Sequence, residues 1–335
     1  LKLVRILASL WESGTVSIGA ALLLLAAALL LPPITLPRDT YDHLVVFDLT
    51  QSMNVTDYEI DGNPASRLAY AKHSMHAALR NLPCGSRVGW GAFAEYRTIV
   101  LLAPVEVCSN YSDLLASLDQ IDGRMRWGNA SEITKGVFWA MRAARDLGTK
   151  TNVVFLTDGH EAPPLDSTRQ AVAIFDDLTV GTIRGWIFGV GGDTPRPIPR
   201  TDAEGNPLGY WRADQVIQRA SAPGEEPIAS SEHLSAVHEA HLRALASQVG
   251  FQYRRLDGVE ALDTALRDAR LARRAPVPTD VSWLPSTLAL LLLAIRFWPA
   301  SLRIARHRAH QTSIGRHRVV SFARKLSDAG VRGSL

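Results

Sequence analysis

Two long stretches almost without charge divide this chain and limit what it can become. Between Glu12 and Arg38 lie twenty-five residues without one charged side chain. From Val281 to Leu302 the only charge is Arg296. A membrane-spanning helix takes about 20 mostly apolar residues, and both runs meet that length. We expect spans at 14–36 and, after a short linker at Pro276 and Pro278, within 276–300. Two other readings stay open: a cleaved signal peptide for the first run and a buried core helix for the second. Against the former, Pro32, Pro33 and Pro37 follow where a small-x-small cleavage pattern would stand. Trp283 and Trp298 near the ends of the second run suit interfacial anchors.

Charge is distributed around these runs unevenly. The whole chain has 335 residues, with 36 Lys+Arg against 33 Asp+Glu. Residues 36–280 hold 25 basic against 31 acidic side chains, whereas residues 301–335 hold 8 against 1. Basic flanks stay on the cytoplasmic side. The expected order is an inner flank at 1–13, a span, an outer domain at 37–275, a second span, and a basic inner tail at 301–335. The tail reads as a topogenic and lipid-facing segment, and no nucleic-acid partner is expected. Two cysteines exclude a Cys-rich zinc site.

The middle segment alternates strand and helix signals. YDHLVVFD at 41–48, NVVFLT at 152–157 and IRGWIFGV at 183–190 are buried-strand runs. Strands at 88–93 and 98–102 form a hairpin. Helical spacing marks 67–82, 111–121, 132–147, 234–249 and 259–271, and a last strand is expected at 251–256. Continuous apolar strands separated by helices predict an α/β fold, a doubly wound, mostly parallel sheet covered on both faces. Ligands of such sheets sit beyond the carboxyl ends of the strands, where the winding reverses. The Pro- and Gly-rich stretch 192–214 reads as a surface excursion.

Chemistry-bearing residues stand at those strand ends. Asp48, Thr50 and Ser52 follow the first strand at i, i+2 and i+4, so three oxygens can turn toward one point. Asp158 follows the strand at 152–157 in Thr157-Asp158-Gly159. Ser131 stands at the start of a helix, as a cap or as a ligand. An all-oxygen set suits a hard divalent cation, Mg2+, Ca2+ or Mn2+. A capping role for Asp48 is the other reading. Gly189, Gly191 and Gly192 lead into a Pro-rich loop where a dinucleotide fingerprint requires a helix. Neither H-E-x-x-H nor a Walker sequence is present.

These elements together resemble the von Willebrand factor A domain family and its metal-ion-dependent adhesion site. The resemblance covers roughly 41–270, with Asp48, Thr50, Ser52, Ser131 and Asp158 as the implied metal set. Asn129 replaces Ser131 if the alignment shifts. Ala130-Ser131 departs from the family's Gly-Thr but keeps a hydroxyl. The resemblance implies binding of a partner's carboxylate through the cation, with no catalysis and no small-molecule substrate. The order span, A domain, span, basic tail is similar to that of the bacterial aerotolerance-type Bat proteins. Residues 45–55, 104–108 and 157–165 look like the MxaL-type accessory proteins of methanol-oxidation clusters. That likeness implies a bacterial inner-membrane protein with its A domain in the periplasm and both termini in the cytoplasm. Its implied partner is methanol dehydrogenase or another protein of that cluster, during maturation or metal insertion. A Bat-like scaffold for a stress-related client, a hydrolase using Asp158 or Glu161 as base, and a degenerate structural subunit are the competing readings. In an exported domain Cys84 and Cys108 are expected to pair; two separate buried thiols are the alternative.

Overall fold

The central strand, β1 at Asp42–Asp48, is buried along its whole length. Such a strand needs partners on both edges and cover on both faces, and the chain supplies each. The structure is a computed structural model that describes residues 15–148, 150–164, 180–218 and 231–297. Five further strands join β1: β2 (Arg87–Ala94), β3 (Arg97–Glu106), β4 (Asn152–Thr157), β5 (Gly185–Gly189) and β6 (Gln252–Arg255). Their order is β6-β5-β4-β1-β2-β3. All pairs are parallel except the β2–β3 hairpin. The expected mostly parallel α/β sheet is therefore present, with one antiparallel edge strand.

Alternation along β1 sends its side chains into two cores. Val45 and Phe47 join Leu68, Met75, Trp90, Leu114 and Leu262. Leu44 and Val46 join Phe93, Ile133, Val137, Phe155, Ile187 and Leu242 on the opposite face. The first core lies under helices α2 (Arg67–Leu79), α3 (Tyr111–Gln120) and α6 (Val259–Leu266). The second lies under α4 (Ile133–Leu147) and α5 (Glu239–Val249). The helix read at 234–249 begins only at Glu239, because Leu234 and Ser235 are held as a short strand against Arg196 and Pro197.

Cys84 and Cys108 form a disulfide whose sequence separation is 24. It joins the start of β2 to the end of β3, where Gly85 N and Ser109 N donate to the Glu106 carboxylate at 2.7 and 2.6 Å. A closed loop of this size stabilises by roughly 3 kcal/mol in the chain-entropy description. Replacing both cysteines by serine should lower the unfolding free energy by about that amount, read as a lower denaturant midpoint at unchanged slope.

The chain divides into two units, Leu36–Val277 and the two remaining end segments. The larger unit begins and ends in a two-stranded ribbon, Ile34–Thr40 paired with Arg273–Thr279. Asp39 pairs with Arg274 at 3.6 Å, and Thr40 Oγ1 donates to the Arg273 carbonyl at 3.2 Å. The ribbon revises two sequence expectations. Among the described residues the first apolar run is helical over α1, Thr15–Leu30, and stops there because Pro32 and Pro33 follow and proline cannot continue a helix. Pro276 and Pro278 sit in a strand, not a linker; alternate prolines leave unused only the donors of an edge.

In the smaller unit α1 packs against α7, Trp283–Phe297. Ala21 and Ala289 are buried, while Leu22, Leu23, Leu29, Leu30, Leu290 and Ile295 are exposed. At about 1.5 Å per residue, sixteen and fifteen residues fall short of a hydrocarbon layer of about 30 Å. Among the described residues no helix is long and apolar enough to cross a membrane. The flank at 1–13 and the tail at 301–335 lie outside the described residues.

Candidate metal centre

The winding reverses between β1 and β4, and both acids of the implied site leave the sheet there. Asp48 ends β1, and Asp158 follows β4; both are fully buried. The Asp48 carboxylate accepts from Thr50 N at 2.9 Å and Thr50 Oγ1 at 2.7 Å on one oxygen, and from Thr157 Oγ1 at 2.6 Å on the other. Thr157 is thus a supporting residue that ligand-type reasoning passed over.

These bonds orient the hydroxyls. The Thr50 proton is spent on Asp48, so its lone pairs face outward. Ser52 Oγ lies 3.2 Å from Thr50 Oγ1 and must be the donor in that contact. Ser131 comes from another loop. Its N donates to the Ala162 carbonyl at 2.7 Å, and Ala162 N returns a bond to the Ser131 carbonyl at 2.9 Å. Ser131 Oγ is buried and has no hydrogen-bond partner among the described residues. Buried hydroxyls are normally satisfied. Thr50, Ser52 and Ser131 line one cleft of about 270 Å³, together with Asn129, His160 and Glu161.

Asp158 is turned elsewhere. Its Oδ2 accepts from Arg67 Nη1 at 2.7 Å and Ser235 Oγ at 2.8 Å, and its Oδ1 from His160 N at 3.0 Å. Arg67, the first residue of α2, is 0 % exposed. Its Nε and Nη2 grip Asp57 at 3.0 and 2.7 Å, and Nη1 also donates to Ser235 Oγ at 2.6 Å. The cluster joins segments 57, 67, 158 and 235 through one guanidinium. Gly191 follows β5 with φ +134°, and a Cβ there would lie 2.7 Å from Arg67 Nε. Gly159, at φ +80°, completes the T-D-G turn where a Cβ would stand 2.9 Å from Leu242.

The two acids consequently differ in electrostatics. Burial, then the neighbouring Asp158 charge, raises Asp48 well above the usual carboxylate range. Burial pushes Asp158 the same way, but Arg67 and His160 outweigh it and hold it below its ordinary value. A buried carboxylate with hydroxyl donors and no cation of its own favours a positive guest. The donor set is oxygen only, and the orphaned Ser131 hydroxyl lacks just such a partner. These residues therefore fit a hard dication, with Asp158 set back behind Arg67. Cys84, Glu106 and Cys108 are the one His/Cys/Asp/Glu group close enough to share a metal among the described residues, and both sulfurs are spent in the disulfide.

Glu161 is engaged structurally. Its Oε2 accepts from Ile133 N at 3.2 Å at the start of α4, and its Oε1 meets His241 Nε2 at 3.1 Å. Gln51, at a variable position of D-x-T-x-S, ties the 192–214 excursion to the site. It donates to Asn129 Oδ1 at 2.8 Å and accepts from Trp211 Nε1 at 3.0 Å and Thr201 N at 3.1 Å.

Residues 43–160 match the model of the von Willebrand factor type A domain. No curated protein sequence matches the chain. Among solved structures, an aerotolerance-related membrane protein from Bacteroides fragilis is 18% identical, with a TM-score of 0.44. That match covers 68% of this chain and 96% of the other. The conserved hypothetical protein BatB from Bacteroides thetaiotaomicron is 19% identical, with a TM-score of 0.47, over 69% of this chain and 98% of its own.

Proposed function

We propose that this chain is a membrane-anchored A-domain protein that binds a partner protein through a divalent cation. The observation that carries the reading is the Ser131 hydroxyl, buried and without a partner among the described residues, on the same cleft as Thr50 and Ser52. Thr50, Ser52 and Ser131 would hold Mg2+, Ca2+ or Mn2+ directly, with Asp48 orienting the hydroxyls and supplying charge. Asp158 would act at longer range, fixed by Arg67. When bound, the cation supplies a coordination position for a carboxylate of the partner.

The anchor is read from the two apolar runs and from the exposed leucines on α1 and α7; the domain would lie on the periplasmic side of a bacterial inner membrane. For the client we favour a quinoprotein methanol dehydrogenase or a protein of its maturation complex. The wording of residues 45–55, 104–108 and 157–165 supports this choice. A Bat-like scaffold for a stress-related client is the second reading; it shares the span–domain–span–tail order, and gene neighbourhood separates the two.

The test is cation binding by calorimetry on the solubilised chain, alongside capture of partners from solubilised membranes with Mg2+, Ca2+ or chelator. Asp48→Ala should weaken cation binding at least tenfold, as loss of an orienting group does in metal sites, and abolish metal-dependent capture. Cation binding and capture unchanged in a fully abundant Asp48→Ala protein would sink the reading.

A further inference from the structure

A second groove adjoins the hydroxyl cleft and differs from it in chemistry. The two share Gln51, Asn129 and Trp211. The first is also lined by Ile198, Trp211, Val216 and Ile217. Across Trp211, the second encloses about 330 Å³ and is lined by Arg126 and Arg200. Arg126 donates to the carbonyls of Gly123 at 2.8 Å, Thr201 at 2.8 Å and Asp202 at 2.7 Å. Arg200 lies over the Trp211 ring at 4.9 Å. Among the described residues neither guanidinium is within ion-pair distance of a carboxylate. Asp202 also lines this groove, but its carboxylate accepts from Asn206 N at 2.7 Å and Asn206 Nδ2 at 2.8 Å.

We infer that the two grooves together dock an acidic segment of a partner chain: one carboxylate at the hydroxyl cluster, a large apolar side chain against Trp211 and Ile217, and a second carboxylate at Arg126 and Arg200. The inference rests on the metal reading for its first contact only. Size argues for side chains: at about 270 and 330 Å³ the two grooves stand at the lower end of the roughly 300–1,000 Å³ of small-molecule pockets. Charge argues for the order. Glu161 and Glu232 line the hydroxyl cleft, so an acid enters there only with a cation present. The arginine groove, with two arginines against Asp202, accepts an acid unaided: Arg126 has spent all but one of its N–H groups on carbonyls and Asn129 and adds mainly charge, so Arg200 is the group suited to take the carboxylate. Arg126 and Arg200 are then specificity residues for the partner.

Two fluorescent peptides on the solubilised full chain test this in Mn2+. One is Gly-Asp-Leu-Gly, capped at both ends; the other extends it with a Glu two, three or four residues beyond the Asp. The diacid at its best spacing should bind about tenfold tighter, the worth of one charge-assisted contact. Arg200→Gln should remove that preference, so that the two peptides bind with the same affinity. Arg126 also ties Thr201 and Asp202, so Arg126→Gln is the second variant, and Arg200→Lys should keep part of the preference. Equal affinities for the two peptides in wild type, or a preference that survives both glutamine variants, overturns the proposal. Tighter binding of a lysine-substituted peptide in chelator overturns it as well, by naming a basic occupant. A mono-acid affinity that is the same in Mn2+ and in chelator, with the diacid preference still lost in Arg200→Gln, sustains the arginine groove and removes the cation reading alone.

Discussion

Arg67→Ala should destabilise the domain by about 3–5 kcal/mol, the usual loss when one partner of a buried ion pair is removed. The side chains of Arg67 and Asp158 are both 0% exposed, and that of Asp57 is 3% exposed. Without the guanidinium, two carboxylates remain in an interior without compensating charge. Asp158 would then rise toward protonation beside Asp48, which burial has already raised. The check is denaturant unfolding of wild type and variant. A triple variant, Arg67→Met with Asp57→Asn and Asp158→Asn, should recover much of the loss, since removing a whole buried ionic cluster is often nearly neutral. A loss below about 1 kcal/mol, the value of an exposed pair, would contradict the buried geometry.

The second large effect is acid lability centred on His43. This residue lies in β1, wholly buried, and its Nε2 donates to the Leu266 carbonyl at 2.8 Å. Its Nδ1 has no hydrogen-bond partner among the described residues. Burial, opposed weakly by the Leu266 bond, lowers its pKa from 6.5 to about 4. The unfolded chain therefore binds the proton first. Stability from this residue is complete above pH about 6.5 and is lost as pH falls toward 4, by about 3 kcal/mol in all. Asp48 acts in the opposite sense, because its raised pKa favours the folded state as pH falls. The proper observable is therefore the difference between wild type and His43→Gln, which keeps a donor for Leu266. That difference should move by about 3 kcal/mol between pH 7 and pH 4 in favour of the variant. A pH-independent difference would contradict the burial of this ring.

Periodicity and strand composition carried most of the sheet. The run at 152–157 coincides with β4, because a strand buried on both faces has little freedom in composition. The ends were read less well where tertiary pairing decides: Ser235 looks helical in sequence, yet it is held beside Arg67. Local spacing made Asp48, Thr50 and Ser52 legible, since one turn places all three. Arg67 gave no such signal. A single arginine opening an amphipathic helix reads as solvated, and only the return of residue 235, 168 positions later, closes the cluster around it. Gln51 was hidden for the same reason, its partners lying 150 and 160 positions away.

The ribbon that begins and ends the domain bears on mechanical load. Its two strands carry the chain in and out side by side, with contacts at Asp39–Arg274 and Thr40–Arg273. A force that draws the two ends of the ribbon apart would peel it open one rung at a time, before reaching the parallel sheet. The strands that hold Asp48 and Asp158 sit behind it, shielded as if by a mechanical fuse.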